Sequence, residues 1–139
     1  MNMTKEEILQ FLNDNPLFSL ATSDGNIPHV RTLRLHKANE NGIYFMVGKF
    51  KDVYRQLSVN HYVELCFHSE EQQVRISGQI ENLDKDIELK QEILAARPFM
   101  ARWIDQFGYK YMAVFRLRYG TATTWSLDNE LQPKTFVQL

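Results

Sequence analysis

Two lysines, Lys49 and Lys51, flank Phe50 in the segment YFMVGKFKDVYRQL (residues 44–57), between a predicted buried strand, Ile43 to Val47, and a predicted short helix from about Asp52. A helix start carries partial positive charge and several unpaired backbone N–H groups. Two lysines placed there stack like charge on like unless an anion sits between them. Asp52 offsets part of that charge, but a phosphate is the simplest occupant, because helix starts bind it readily. Two arginines, Arg31 and Arg34, lie within about twenty residues of the lysines. Period-two geometry puts Arg31 on one strand face with Leu33 and Leu35, and Arg34 on the other with Val30 and Thr32. A charge on an apolar face is costly unless paired. The plain structural alternative pairs Arg31 with a core-edge carboxylate such as Glu64 or Glu81 and leaves Arg34 solvated. The clustering of four cations favours a shared anion site.

Other residues carry weaker signals. Gln73 has both a donor and an acceptor, which suits the edge of a heterocycle, although taken alone it reads as an exposed strand-end glutamine. Trp125 shares a face with Thr121, Thr123 and Leu127, and serves either as core or as cover for a planar ligand. His29, His36, His61, His68 and the single Cys66 have no metal-ligand spacing, so no metal site is expected. Nucleophile-elbow, P-loop and dinucleotide-binding motifs are all missing, and no carboxylate pair stands out for acid–base work. If the protein is an enzyme, a cofactor does the hard step.

The elements that must position these groups are mostly strands. Thr4 to Glu7 has capping-box spacing, and residues 4–14 read as a short amphipathic helix stopped by Pro16. Leu17 to Thr22 and Ile27 to His36 form a hairpin about Ser23-Asp24-Gly25-Asn26, and Asn39 to Gly42 turns into the third strand. His61 to His68 and Gln73 to Glu81 alternate as strands. Asp84 is a candidate cap for a helix to about Arg97, followed by a short helix at Ala101 to Phe107. Tyr111 to Tyr119 and Thr121 to Leu127 complete the set. Strands follow strands, so the expected architecture is mainly β (α+β): an antiparallel split β-barrel of about six to seven strands with peripheral helices.

With 139 residues, 44% of them hydrophobic and 24% charged, the chain reads as one domain over residues 1–139. A net charge of −1 argues against wholesale nucleic-acid binding. No apolar run is long enough to span a membrane, and the start MNMTKEEILQFL does not have a signal-peptide profile, so a cytoplasmic protein is expected.

The hairpin PHVRTLRL, the segment GIYFMVGKFKDVYRQL, the run NHYVELCFHSEEQQVRISGQIE and the late strand with Trp125 together resemble the pyridoxamine 5′-phosphate oxidase-like FMN-binding split barrels over nearly the whole chain. The resemblance implies FMN in a groove at a homodimer interface. Arg31 and Lys51 would then hold its phosphate, with Lys49 nearby. Thr32, Leu33 and Arg34 would lie along the flavin and ribityl chain, and Val47 and Gly48 would line it. Gln73 would reach the flavin from the partner subunit, and Trp125 would flank it. The true oxidases of the family carry a C-terminal Arg/His segment that grips the substrate phosphate, whereas this chain ends in QPKTFVQL. Nitroimidazole-resistance reductases typically carry a histidine where this chain has Met46-Val47. Both departures point away from those two activities. The expected function is an FMN-dependent oxidoreductase acting on a small organic substrate, reduced by a nicotinamide or deazaflavin donor, with its catalytic residues unassigned. The alternatives are a non-catalytic flavin- or haem-binding module and, least favoured, an oligonucleotide-binding barrel.

Overall fold

The computed structural model describes residues 2–139. Helix α1 (Lys5–Asp14) starts with the expected capping box: Thr4 Oγ1 accepts from the Glu7 N–H at 3.2 Å, and Glu7 Oε1 accepts from the Thr4 N–H at 2.9 Å. Strands β1 (Leu17–Asp24) and β2 (Ile27–Arg34) form the predicted hairpin. Its two-residue turn uses Gly25 at φ +60°, a conformation that costs glycine little. There follow β3 (Lys37–Asn39), β4 (Gly42–Gly48), α2 (Asp52–Val59), β5 (Tyr62–His68) and β6 (Gln72–Asn82). The chain then forms α3 (Ile87–Ala96), a single helical turn at Pro98–Met100, α4 (Ala101–Phe107), β7 (Met112–Leu117), β8 (Thr121–Ser126) and β9 (Val137–Gln138).

The strands run antiparallel in the order β2-β1-β5-β6-β7-β4-β3, with β8 branching from β6 and carrying β9. The sheet curls into a half-barrel, the expected split-barrel class. Strand β6 joins its two parts: residues 72–77 pair with β8, and residues 80–82 pair with β7. Four fully buried phenylalanines fill the curl. Phe18 stacks on Phe67 at 4.8 Å and meets Phe45 edge-on at 5.6 Å, and Phe45 stacks on Phe115 at 5.9 Å. Ile8 and Leu12 of α1 and Leu57 of α2 close this core. A second apolar cluster packs Leu89 and Ile93 of α3 against Tyr44 of β4 and Val114 of β7.

Three details differ from the sequence expectation. The second strand stops at Arg34, because the chain there leaves β1 and crosses to β4, where Lys37–Asn39 pair separately. With β9, this brings the count among the described residues to nine strands, two of them very short. The α3 cap is Asp86, whose Oδ1 accepts from the Leu89 N–H at 3.0 Å. Asp84 instead accepts from the Val114 N–H at 2.9 Å, tying the loop before α3 to β7. No described helix is long and apolar enough to cross a membrane.

Helix α3 is pinned to β3 by Glu92, whose carboxylate meets His36 Nε2 at 2.5 Å and Lys37 Nζ at 3.0 Å. Hydrogen bonds from His36 first, and then from Lys37, hold the Glu92 carboxyl below its ordinary range. A depressed carboxylate contributes stability that is present above the unfolded value of about 4.3 and lost as pH falls through the lower folded value. Glu92→Gln should therefore melt at a lower temperature than the parent at pH 7, with the gap closing as pH falls below about 4. A melting difference unchanged between pH 7 and pH 3 would remove the charge from this account.

Candidate functional site

The segment from β4 through residues 49–51 into α2 forms one wall of an open groove of about 800 Å³. Strand β2 forms a second wall, with Arg31, Thr32, Leu33 and Arg34 along it. The first wall is made by Val47 and Gly48 at the end of β4, Lys51 just before α2, and Asp52 and Gln56 of α2, and the segment from Arg97 to Trp103 closes the far side. Gly48 permits a close approach that a side chain would block, since an added Cβ would stand 2.9 Å from Tyr111 Oη.

Arg31 is the best-defined group in the groove. Its Nη1 donates to Thr22 Oγ1 at 2.8 Å, its Nη2 donates to Gln56 Oε1, and Thr22 Oγ1 donates to Gln56 Oε1 at 2.6 Å. Thr22 and Gln56 are each only 3% exposed. The guanidinium is thus oriented by two buried neutral side chains. Burial lowers its pKa, and the nearby Asp52 charge partly opposes this, yet an arginine stays protonated in such a place. Neither carboxylate considered as a partner reaches it: Glu64 lies 3.9 Å from Arg75, and Glu81 pairs with Arg116 at 2.5 Å. Lys51 precedes α2 in an extended conformation, with no capping hydrogen bond from its side chain. Arg31 and Lys51 therefore offer the groove two positive charges that no described carboxylate neutralises by direct contact. A phosphate fits that arrangement.

Lys49 does not join them. It turns toward Asp84 at 3.4 Å, lies over the Tyr54 ring at 5.8 Å and does not line the groove. Its expected place beside a bound phosphate is taken by an ion pair with a residue that the sequence marked as a helix cap. Gln73 and Trp125 are also elsewhere in the chain. They face each other across β6 and β8 and line a smaller pocket of about 310 Å³ with Arg75 and Thr123. Three strand spacings, roughly 14 Å, separate β6 from β2. The Trp125 indole N–H donates to Glu130 Oε2. Alternation places Gln73 and Trp125 on the same outer sheet face as Thr32 and Arg34.

Sequence reasoning missed Thr22 and Gln56. Each left a faint signal: Thr22 follows Phe18 and Leu20 on the buried face of β1, and Gln56 sits between the buried Val53 and Leu57 of α2. It also missed Arg97, Phe99, Trp103 and Tyr111, which line the groove from beyond α3. Among the described residues, no group of three His, Cys, Asp or Glu side chains could hold a metal.

The sequence profile of pyridoxamine 5′-phosphate oxidase matches residues 4–126. The chain belongs to that family. A search of curated protein sequences returns no match. Solved structures similar to this family member include a NimC/NimA family protein from Clostridium acetobutylicum, 25% identical, with a TM-score of 0.77 over 96% of this chain and 92% of that one. A pyridoxamine 5′-phosphate oxidase-related, FMN-binding protein from Nostoc punctiforme is 17% identical, with a TM-score of 0.64 over 100% and 99% of the two chains. An FAD-binding protein from Mesorhizobium loti is also 17% identical, with a TM-score of 0.64 over 89% and 96%. The latter two likenesses establish the pyridoxamine 5′-phosphate oxidase fold, which accounts for the curled sheet described above.

Proposed function

We propose that this protein is an FMN-dependent oxidoreductase acting on a small organic substrate, with FMN held in the groove of a homodimer. The observation that carries the reading is Arg31, a cation fixed by buried neutral groups beside the free cation of Lys51. Such a seat suits the terminal phosphate of a mononucleotide. Thr32, Leu33 and Arg34 flank the rest of the cofactor from β2, while Val47 and Gly48 line it from β4. When bound, FMN supplies hydride transfer at flavin N5 between a nicotinamide or deazaflavin donor and the substrate. The shared outer face of Thr32, Arg34, Gln73 and Trp125 supports a two-fold pairing of the sheets. That pairing brings Gln73 and Trp125 of one copy toward the groove of the other and shields the flavin from water.

Freshly purified protein should absorb near about 450 nm, the usual flavin band, and release FMN on denaturation. Lys51→Ala should weaken FMN binding by about 1.5–3 kcal/mol, the scale of a charge-assisted hydrogen bond, while leaving riboflavin binding unchanged. Colourless protein that cannot be reconstituted with FMN would overturn the reading.

A further inference from the structure

The groove holds a second pair of cations. Arg34 lies three residues beyond Arg31 on β2, roughly 10 Å along the strand, and Arg97, at the C-terminal end of α3, lines the same groove. Arg55, Arg75, Arg116 and Arg118 each lie within 4 Å of a carboxylate, but Arg34 and Arg97 have no such partner among the described residues. The protonated state of Arg97 is disfavoured first by burial and then by the charge of Arg34, so the two guanidiniums repel one another. Arg97 is half-buried and Arg34 exposed, and two like charges on one groove wall are relieved when an anion joins them. Arg31 and Arg34 leave opposite faces of β2, so the second pair is presented apart from the first seat.

The surroundings of this second pair are aromatic. The Arg97 guanidinium lies 5.3 Å over the Phe99 ring. Phe99 is 56% exposed, a large apolar surface left open at a groove wall. It meets Trp103 edge-on at 6.0 Å, and Trp103 stacks on Tyr111 at 5.9 Å. We propose that Arg34 and Arg97 bind the carboxylate of a planar aromatic acid whose ring lies against Phe99 and Trp103, and that such acids are the substrate class of the groove. A guanidinium presents a planar fork that matches a carboxylate at two points. A carboxylate conjugated to its ring keeps both in one plane, so the ring follows the aromatic wall while the acid group meets the arginines. The assignment rests on the flavin reading for what fills the other end of the groove.

Calorimetric titration of 2-naphthoate, 2-naphthamide and 2-naphthyl phosphate into FMN-loaded and FMN-free protein tests this. Naphthoate should bind at least about tenfold more tightly than the neutral amide. Arg97→Gln should weaken naphthoate by about tenfold, with the amide and FMN affinities held within about twofold. Arg97→Lys should recover only part of the loss, since an ammonium keeps the charge but not the fork. Arg34→Gln should also weaken naphthoate in FMN-free protein, where its place beside the cofactor does not contribute, and it provides the answer if Arg97→Gln does not fold. Equal binding of acid and amide would overturn the proposal. So would an Arg97→Gln variant that loses FMN but not naphthoate, because the pair would then belong to the cofactor. Tighter, arginine-dependent binding of the phosphate ester would overturn the carboxylate assignment. Failure of the parent to bind FMN at all would overturn the flavin reading alone, because the naphthoate titration of FMN-free protein reads the arginine pair separately.

Discussion

Arg31→Ala should bind FMN about 10- to 150-fold more weakly than the parent, corresponding to about 1.5–3 kcal/mol, and should bind riboflavin equally well. Riboflavin lacks the phosphate, so the difference between the two ligands isolates the charge–phosphate contact from any damage to the groove. The fold should tolerate the change. Thr22 Oγ1 still donates to Gln56 Oε1 at 2.6 Å once the guanidinium is gone, so neither buried side chain is left without a partner. Removing a half-buried cation also relieves a desolvation cost. The melting temperature should therefore move little while flavin fluorescence quenching shifts to much higher FMN concentration. Normal FMN affinity in this variant would show that the phosphate sits elsewhere.

Phe45→Ala should cost about 3–5 kcal/mol of folding stability, the usual range for emptying a phenylalanine site in a core. Phe45 is fully buried, touches the rings of Phe18 and Phe115, and sits opposite Phe115 in the β4–β7 ladder. Its loss opens a cavity where the two parts of the curled sheet face each other. Total stabilities of single domains are about 5–15 kcal/mol, so this one substitution consumes a large share. Phe45→Leu keeps much of the volume and should cost far less. Urea unfolding of both variants checks the pair. The alanine variant should also bind FMN more weakly, because β4 carries Val47 and Gly48 to the groove. A cost under about 1 kcal/mol would mean that the site collapses around the missing ring, contrary to the packing described.

The sequence made most of the strands and helices readable because their signals are local. The alternation in Gln73 to Glu81, the Thr4 capping box and the Gly25 turn each need only neighbouring residues. The face assignment of β2 held for the same reason: Arg31 and Leu33 are half-buried where Thr32 and Arg34 are exposed. What the sequence hid depends on distant partners. Lys49 read as part of the phosphate seat because its counter-ion, Asp84, stands thirty-five positions away and resembled a helix cap. Thr22 and Gln56 hold Arg31 from nine and twenty-five positions away and could not be linked to it by spacing. The crossing at Leu35 and His36 was hidden too. Its cause is the bonding of Leu35 N–H to Pro16 and of His36 N–H to Tyr44, not any turn residue.

The neutral cradle of Arg31 has a consequence for acid and alkaline conditions. A hydroxyl and a carboxamide do not titrate, so nothing that orients this guanidinium changes its charge between mildly acidic and strongly alkaline solution. A seat built on a carboxylate or histidine partner would loosen or tighten as that partner gained a proton. The charge of this cradle therefore stays constant near neutrality, whereas a bound phosphate monoester would take up its second proton near about pH 6. On acidification the strength of the Arg31 contact would therefore follow the phosphate's own ionisation, with the guanidinium as a fixed electrode.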